Sequence, residues 1–232
     1  MPTQPENNTA KEKLEAAKAA VALVKDHDIV GLGTGSTATF AIQELAERVK
    51  NGLRIKGVPS SVKTATLASA LGIELLELGA VSAIDISIDG ADEFTEQLTL
   101  IKGGGGALFR EKVVASLSKN SIIITDASKK VEKLGAFKVP VEVVPTAYQY
   151  VVGQLEKLNG IPILRLNGKE TYLTDNHNYI VDVDFGLIDD AEKLSIALDR
   201  IVGVFAHGLF VDLTAQLIMA KDGSLVKFIK PK

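Results

Sequence analysis

Apolar residues fall at two different periods along this chain, and the period switches repeatedly. Leu14, Ala17, Val21 and Val24 recur at intervals of three and four, so a helix is expected from about Lys11. Residues 1–8 are polar and read as a frayed tail. Asp26 to Asp28 interrupt the spacing. Residues 29–32 form a short apolar run, closed by the glycine turn 33–35 and followed by Phe40, Ile42 and Leu45 at helical spacing. Strand, glycine turn and helix in that order make a βα unit. The alternation continues with a strand at 55–58, a helix at 64–71 and a strand at 73–76. Ile84, Ile86 and Ile88 alternate with Asp85, Ser87 and Asp89, which is strand periodicity. A short strand at 98–101, a helix at 107–117 and a buried strand at 121–125 follow. Strands and helices taking turns predict an α/β fold, a mostly parallel open sheet flanked by helices.

The order changes near Gly135. A strand at 139–144, a helix at 146–158 and a strand at 161–166 come first. Next is a hairpin of 171–174 and 179–183 around Asp175–Asn178, then a helix at 191–201 and a strand at 203–206. That β-α-β-β-α-β order is ferredoxin-like. A small α+β domain is therefore expected at 135–206, inserted into a main α/β domain of 1–134 plus 207–232. Tail strands at 213–219 and 225–229, turning at Asp222–Gly223, are expected to rejoin the first sheet.

Composition narrows the classes. Of the 232 residues, 46% are hydrophobic and 24% charged, so a folded globular chain is expected. The net charge of -3 and the absence of a basic block argue against a nucleic-acid partner, though not against a small anion. No cysteine is present, which excludes disulfides, thiolate zinc sites and cysteine nucleophiles. Met1 to Asn8 carry no apolar run of a signal peptide, and no stretch approaches the roughly 20 apolar residues of a membrane span. A cytoplasmic location and no membrane partner are expected.

Three stretches carry chemistry. Gly33-Thr34-Gly35-Ser36-Thr37-Ala38 satisfies G-x-G-x-x-A, yet the next strand ends in Pro59-Ser60-Ser61 and lacks the acidic residue that a dinucleotide site wants. Glycine amides, the Ser36 and Thr37 hydroxyls and a helix N-terminus instead suit a single phosphate. A plain turn with Ser36 as the helix N-cap is the simpler alternative. Asp89-Gly90-Ala91-Asp92-Glu93 closes an apolar strand, where ligands of open α/β sheets bind. Its paired acids suit acid–base work, hydroxyl binding or a divalent cation, or else form a solvated loop with Asp92 capping a short helix. Lys102 precedes Gly103, Gly104, Gly105 and Gly106, a run whose entropic cost is justified where backbone must approach a ligand. Glu111 follows early in the next helix and faces either a cleft or solvent. The three stretches are expected at neighbouring strand ends of one sheet. His27, His177 and His207 read as structural, and no His–carboxylate metal cluster is evident.

These motifs closely resemble ribose-5-phosphate isomerase, type A. Asp126-Ala127-Ser128-Lys129, 139–143 and Leu173-Thr174-Asp175-Asn176 match as well, so the resemblance covers nearly the whole chain. It implies interconversion of D-ribose 5-phosphate and D-ribulose 5-phosphate in the non-oxidative pentose phosphate route, without metal or cofactor. It implies that Glu111 moves the proton between C2 and C1 through a cis-enediolate. Asp89, Asp92 and Lys102 are implied to bind the reacting end and stabilise charge. Thr34, Gly35, Ser36 and Thr37, with Gly90, Ala91, Gly103, Gly104, Gly105, Lys129 and Lys13, complete the implied substrate-binding set. A homodimer or homotetramer is implied. Two rivals are a coenzyme A transferase-like or deaminase relative, and a sugar-phosphate sensor domain. The sensor requires a helix-turn-helix, for which the expected tail leaves no room.

Overall fold

The structure, a computed structural model, describes residues 5–230. Its first helix, Pro5–Val21, begins ahead of Lys11. Proline suits the head of a helix, where its fixed φ is already helical and no N–H is required. Residues 5–8 are thus helical and not a tail, while residues 1–4 lie outside the described residues. The helix buries Ala16, Ala17, Ala20 and Val21. Small side chains on this face permit close packing.

The chain divides into two units. The larger takes the described residues up to Ala91, Arg110–Lys129 and those from Asp212 onward; the smaller takes Asp92–Phe109 and Lys130–Val211. The division thus differs from the expected boundaries of 135–206, because Asp92–Phe109 also cluster with the smaller unit.

The larger unit is built on a six-stranded sheet. Its strands run in the order Ser224–Ile229, Gln216–Lys221, Ser121–Asp126, Ile86–Asp89, Ile29–Leu32 and Lys56–Pro59. All neighbours pair in parallel except the terminal hairpin, which rejoins the sheet through Gln216–Lys221 alongside Ser121–Asp126. The Ile86–Asp89 strand is buried at every position, Ser87 and Asp89 included. Cover on both faces is the usual state of a central parallel strand. The expected strand at 73–76 shrinks to one bridge between Gly57 and Leu75.

In the smaller unit, a four-stranded antiparallel sheet runs in the order Val204–His207, Val139–Val143, Tyr179–Asp184 and Ile161–Leu164. Helices Tyr148–Lys157 and Ala191–Asp199 pack Val151, Leu155 and Leu198 against Val139, Val141, Val143, Val181 and Val183 of that sheet. This is the ferredoxin-like arrangement. The expected hairpin is different in detail. Tyr179–Asp184 pairs with Val139–Val143 and Ile161–Leu164, and only Leu173 bridges to Tyr179 across the turn. A tight hairpin joins Leu166–Asn167 to Glu170–Thr171 instead. Among the described residues no helix is long and apolar enough to cross a membrane.

Candidate functional site

In the larger unit the carboxyl ends of adjacent strands gather the candidate residues. Ile29–Leu32 and Ile86–Asp89 are neighbours, so the turn after Leu32 and the acid at position 89 lie side by side. One carboxylate oxygen of Asp89 accepts the Thr34 N–H at 3.1 Å and the Gly90 N–H at 2.7 Å. The turn approaches so closely that a Cβ at Gly33 would stand 2.1 Å from Asp89 Oδ1 and 2.6 Å from Asp89 Cα. Thr37 lies beside Gly90, 3.5 Å from where a Cβ would sit.

The hydroxyl of Thr34 points into a buried relay. It donates to Ser61 Oγ at 2.9 Å, Ser61 donates to Thr64 Oγ1 at 3.0 Å, and Thr64 closes on the Gly33 carbonyl at 2.8 Å. Ser60 joins at 2.8 Å from Thr34. Sequence reading missed this cluster, although Ser60-Ser61 directly after a strand was its visible sign. Ser36 is not the N-cap. The helix Ser36–Lys50 is preceded by Gly35, which makes no side-chain cap and adopts φ 109°, a backbone favoured by glycine. The Ser36 hydroxyl instead accepts from Lys13 Nζ at 3.0 Å. A lysine and a helix N-terminus are thereby collected at one exposed edge, a suitable setting for a phosphate.

Glu111 is carried to that edge by its helix, Leu108–Leu117. The carbonyl of Leu117 accepts from Ile84 N at 2.9 Å, which fixes the helix end at the amino ends of the strands. Val114 packs over the strand centres, 2.5 Å from a Cβ position on Gly31, so only glycine fits there. Glu111 precedes Val114 by three residues on the same face and stands nearly one turn, ~4.5 Å, nearer the carboxyl ends. It is 3% exposed. Lys129 follows Ser121–Asp126 at the corresponding end of the next strand, in the short turn Ala127–Lys129. Glu12, which sequence reading left unremarked as one more helix acid, is buried and accepts the Ala127 N–H and the Asp222 N–H at 3.3 and 3.2 Å.

The remaining candidates belong to the smaller unit. The strand before Lys102, Leu100–Ile101, sits in a separate three-stranded sheet with Glu93–Phe94 and Leu209–Phe210. The third stretch therefore does not share the sheet of the first, and the second is divided, with Asp89 ending a strand of the six-stranded sheet and Glu93 beginning one of the three-stranded sheet. Pairs of two-residue strands have no readable period, which explains the error. Asp92 caps no helix; its Oδ2 accepts the Gly104 N–H at 2.8 Å. Lys102 is 3% exposed, with its ammonium 5.5 Å from the centroid of Phe210. Gly103, at φ 100°, turns the chain against Leu108 and Pro140. Gly106 leaves room for the Tyr172 hydroxyl, which would stand 2.1 Å from a Cβ there. Burial pushes the Tyr172 phenol above its ordinary pKa against the nearby Arg165 charge, so it remains protonated.

The histidines have structural partners or positions. His207 is fully buried, with Nδ1 accepting from Leu209 N at 3.3 Å and Nε2 3.1 Å from Asp199 Oδ1. His27 and His177 occupy turns at positive φ. Among the described residues no group of three or more His, Asp or Glu is arranged to hold a metal ion.

A family model described as ribose 5-phosphate isomerase A (phosphoriboisomerase A) matches residues 56–224. The chain belongs to the ribose 5-phosphate isomerase A family. A ribose-5-phosphate isomerase A of Gloeobacter violaceus is 49% identical, covering 92% of this chain and 94% of its own. Ribose-5-phosphate isomerase A 1 of Oceanobacillus iheyensis is 44% identical and covers 95% of this chain and 100% of its own. A solved D-ribose-5-phosphate isomerase in complex with phospho-erythronic acid superimposes with a TM-score of 0.92 at 36% identity, covering 96% of this chain and 99% of that one. The isomerase A match therefore takes in both units.

Proposed function

We propose that this enzyme interconverts D-ribose 5-phosphate and D-ribulose 5-phosphate through a cis-enediolate, with Glu111 as the proton carrier. The observation that carries the reading is the match, over nearly the whole chain, to an isomerase solved with a four-carbon phosphorylated acid. A proton next to a carbonyl is weakly acidic, and its removal leaves charge on oxygen. A carboxylate takes the proton at one carbon and returns it at the next, a contribution of roughly 10²–10⁴-fold. Lys102 and the glycine amides stabilise the oxyanion, which is worth roughly a few kcal/mol. Asp89 and Asp92, each oriented by backbone N–H groups, accept sugar hydroxyls. Thr37, Ser36, Lys13 and Lys129 hold the phosphate with the Gly35 amide and the N-terminus of the helix Ser36–Lys50. The Thr34 hydroxyl is engaged in its relay and its N–H on Asp89, so Thr34 contributes by shaping the turn and orienting that carboxylate.

Metal independence, a cytoplasmic location and assembly as a homodimer or homotetramer belong to the same reading. Exposed Ile161, Ile163 and Leu166 on one stretch of the smaller unit support assembly. The relatives reported above favour the isomerase over the transferase-like and sensor alternatives. The test is ribulose 5-phosphate formation from ribose 5-phosphate by purified protein in excess EDTA. Turnover is expected, and Glu111→Gln is expected to lose about 10²–10⁴-fold in kcat while still binding the sugar phosphate. Near-normal turnover in that variant would remove Glu111 from the reaction.

A further inference from the structure

Arg165 lies some sixty residues along the chain from Gly103 and Gly104, yet it holds the glycine run. Its Nη1 donates to the carbonyls of Gly103 and Gly104, each at 3.1 Å. The guanidinium is itself fixed. Nε donates to Asp182 Oδ2 at 2.8 Å and Nη2 donates to the other oxygen of the same carboxylate. Its carbon stands 5.8 Å from the centroid of Tyr172, the ring whose hydroxyl occupies the space left by Gly106. The main chain is pinned as well, since Arg165 N donates to Ile180 O at 2.8 Å and its carbonyl accepts from Tyr172 N at 3.0 Å. The arginine side chain is only 14% exposed.

This geometry fixes the direction of two peptide planes. In a trans peptide the C=O and the following N–H point opposite ways. With the Gly103 carbonyl on the guanidinium, the Gly104 N–H must point away, and it does, meeting Asp92 Oδ2 at 2.8 Å. With the Gly104 carbonyl on the same nitrogen, the N–H of Gly105, an exposed residue, is turned away in like manner. The run's own turn bond, from Gly106 N to the Gly103 carbonyl at 3.0 Å, does not fix the Gly104–Gly105 peptide, and glycine samples many orientations. A planar fork meets two carbonyls and a carboxylate together; a lysine ammonium lacks that geometry.

We propose that Arg165 is a positioning residue for the isomerisation, locking the Gly103–Gly104 and Gly104–Gly105 peptides so that the Gly104 N–H holds Asp92 in place and the Gly105 N–H serves the reacting end of the sugar. The proposal rests on the functional reading above, in which the glycine run approaches the substrate. It assigns Asp182 a supporting part, as the group that aims the guanidinium.

The test compares full-length wild type, Arg165→Lys and Asp182→Asn. Each is assayed for kcat and KM with ribose 5-phosphate, and for inhibition by phospho-erythronic acid and by inorganic phosphate. Arg165→Lys is expected to lose about 10–100-fold in kcat/KM, chiefly in kcat, as a small misplacement at a reacting centre does. The inhibition constant for phospho-erythronic acid should rise by a similar factor, and that for inorganic phosphate should stay within about twofold. Asp182→Asn should fall between that variant and wild type, and it decides by the same readouts if Arg165→Lys does not fold. Variants within about twofold of wild type would overturn the proposal. So would a parallel rise in both inhibition constants, which signals general loosening. A wild-type protein without turnover would overturn the functional reading and this proposal with it.

Discussion

Two glycine-rich turns in this molecule bring backbone close to a carboxylate, and they are held in different ways. At Gly33–Gly35 the anchor is close at hand: Asp89 on the adjoining strand takes the Thr34 amide, and the hydroxyl relay through Ser61 and Thr64 returns to the Gly33 carbonyl. At Gly103–Gly106 the anchors are long side chains reaching in from elsewhere in the smaller unit, with Arg165 on the carbonyls and Tyr172 over Gly106. The first turn is part of the packed sheet. The second is a glycine turn with one bond of its own, from Gly106 N to the Gly103 carbonyl, braced for the rest from outside. Damage to the first should therefore appear as lost stability, and damage to the second as lost rate.

The sharpest way to break this contrast is Gly33→Ala. The new Cβ meets Asp89 backbone as well as side chain, so the strands must part. A loss of about 1–3 kcal/mol in denaturant unfolding is expected, along with turnover. Gly104→Ala should behave oppositely. Its Cβ meets only the Asp92 carboxylate, at 2.7 Å, which a side-chain rotation relieves. Stability should hold within about 1 kcal/mol while kcat/KM falls about 10–100-fold. Equal stability losses in the two variants would erase the distinction. Thr34→Val tests the relay on its own. Removing one hydroxyl strands its buried partners, and about 1–2 kcal/mol should be lost in the same unfolding experiment. The smallest effect concerns a surface pair in the larger unit. Side-chain and backbone hydrogen bonds from Arg54 hold the Asp26 carboxyl down to about 2. A depressed acid stabilises above its unfolded pKa of about 3.9 and ceases to do so as pH falls through the folded value. Asp26→Asn should thus lower the melting temperature slightly near neutrality, and the gap should close between about pH 4 and pH 2.

The same contrast explains what sequence could reveal. Gly33 to Ala38, Asp89 and Glu111 sit beside elements with clear periods, so their meeting at the strand ends was legible. The central strands 29–32 and 121–125, as short apolar runs, and the ferredoxin-like order of elements were legible too. Arg165 was not legible: it interrupts the edge strand after Leu164, and no spacing links it to residue 103. Nor was the allegiance of Asp92–Phe109, because strands of two residues leave no pattern. Glu12 looked like any solvated helix acid; only its partners, Ala127 and Asp222, show otherwise.

The position of the Gln216–Lys221 strand bears on how the polypeptide reaches this state. It lies between Ser121–Asp126 and the terminal strand, so the apolar edge of Ile122, Ile123 and Ile124 has no neighbour on that side until the end of the chain arrives. Residues 127–215 emerge from the ribosome in the interval, and the Glu12 bond to Asp222 must wait equally long. Contacts of such separation are slow to form, and an uncovered strand edge invites pairing with other chains. A nascent chain truncated before residue 216 therefore leaves that strand edge bare, and pairing of Gln216–Lys221 is the step that seals it.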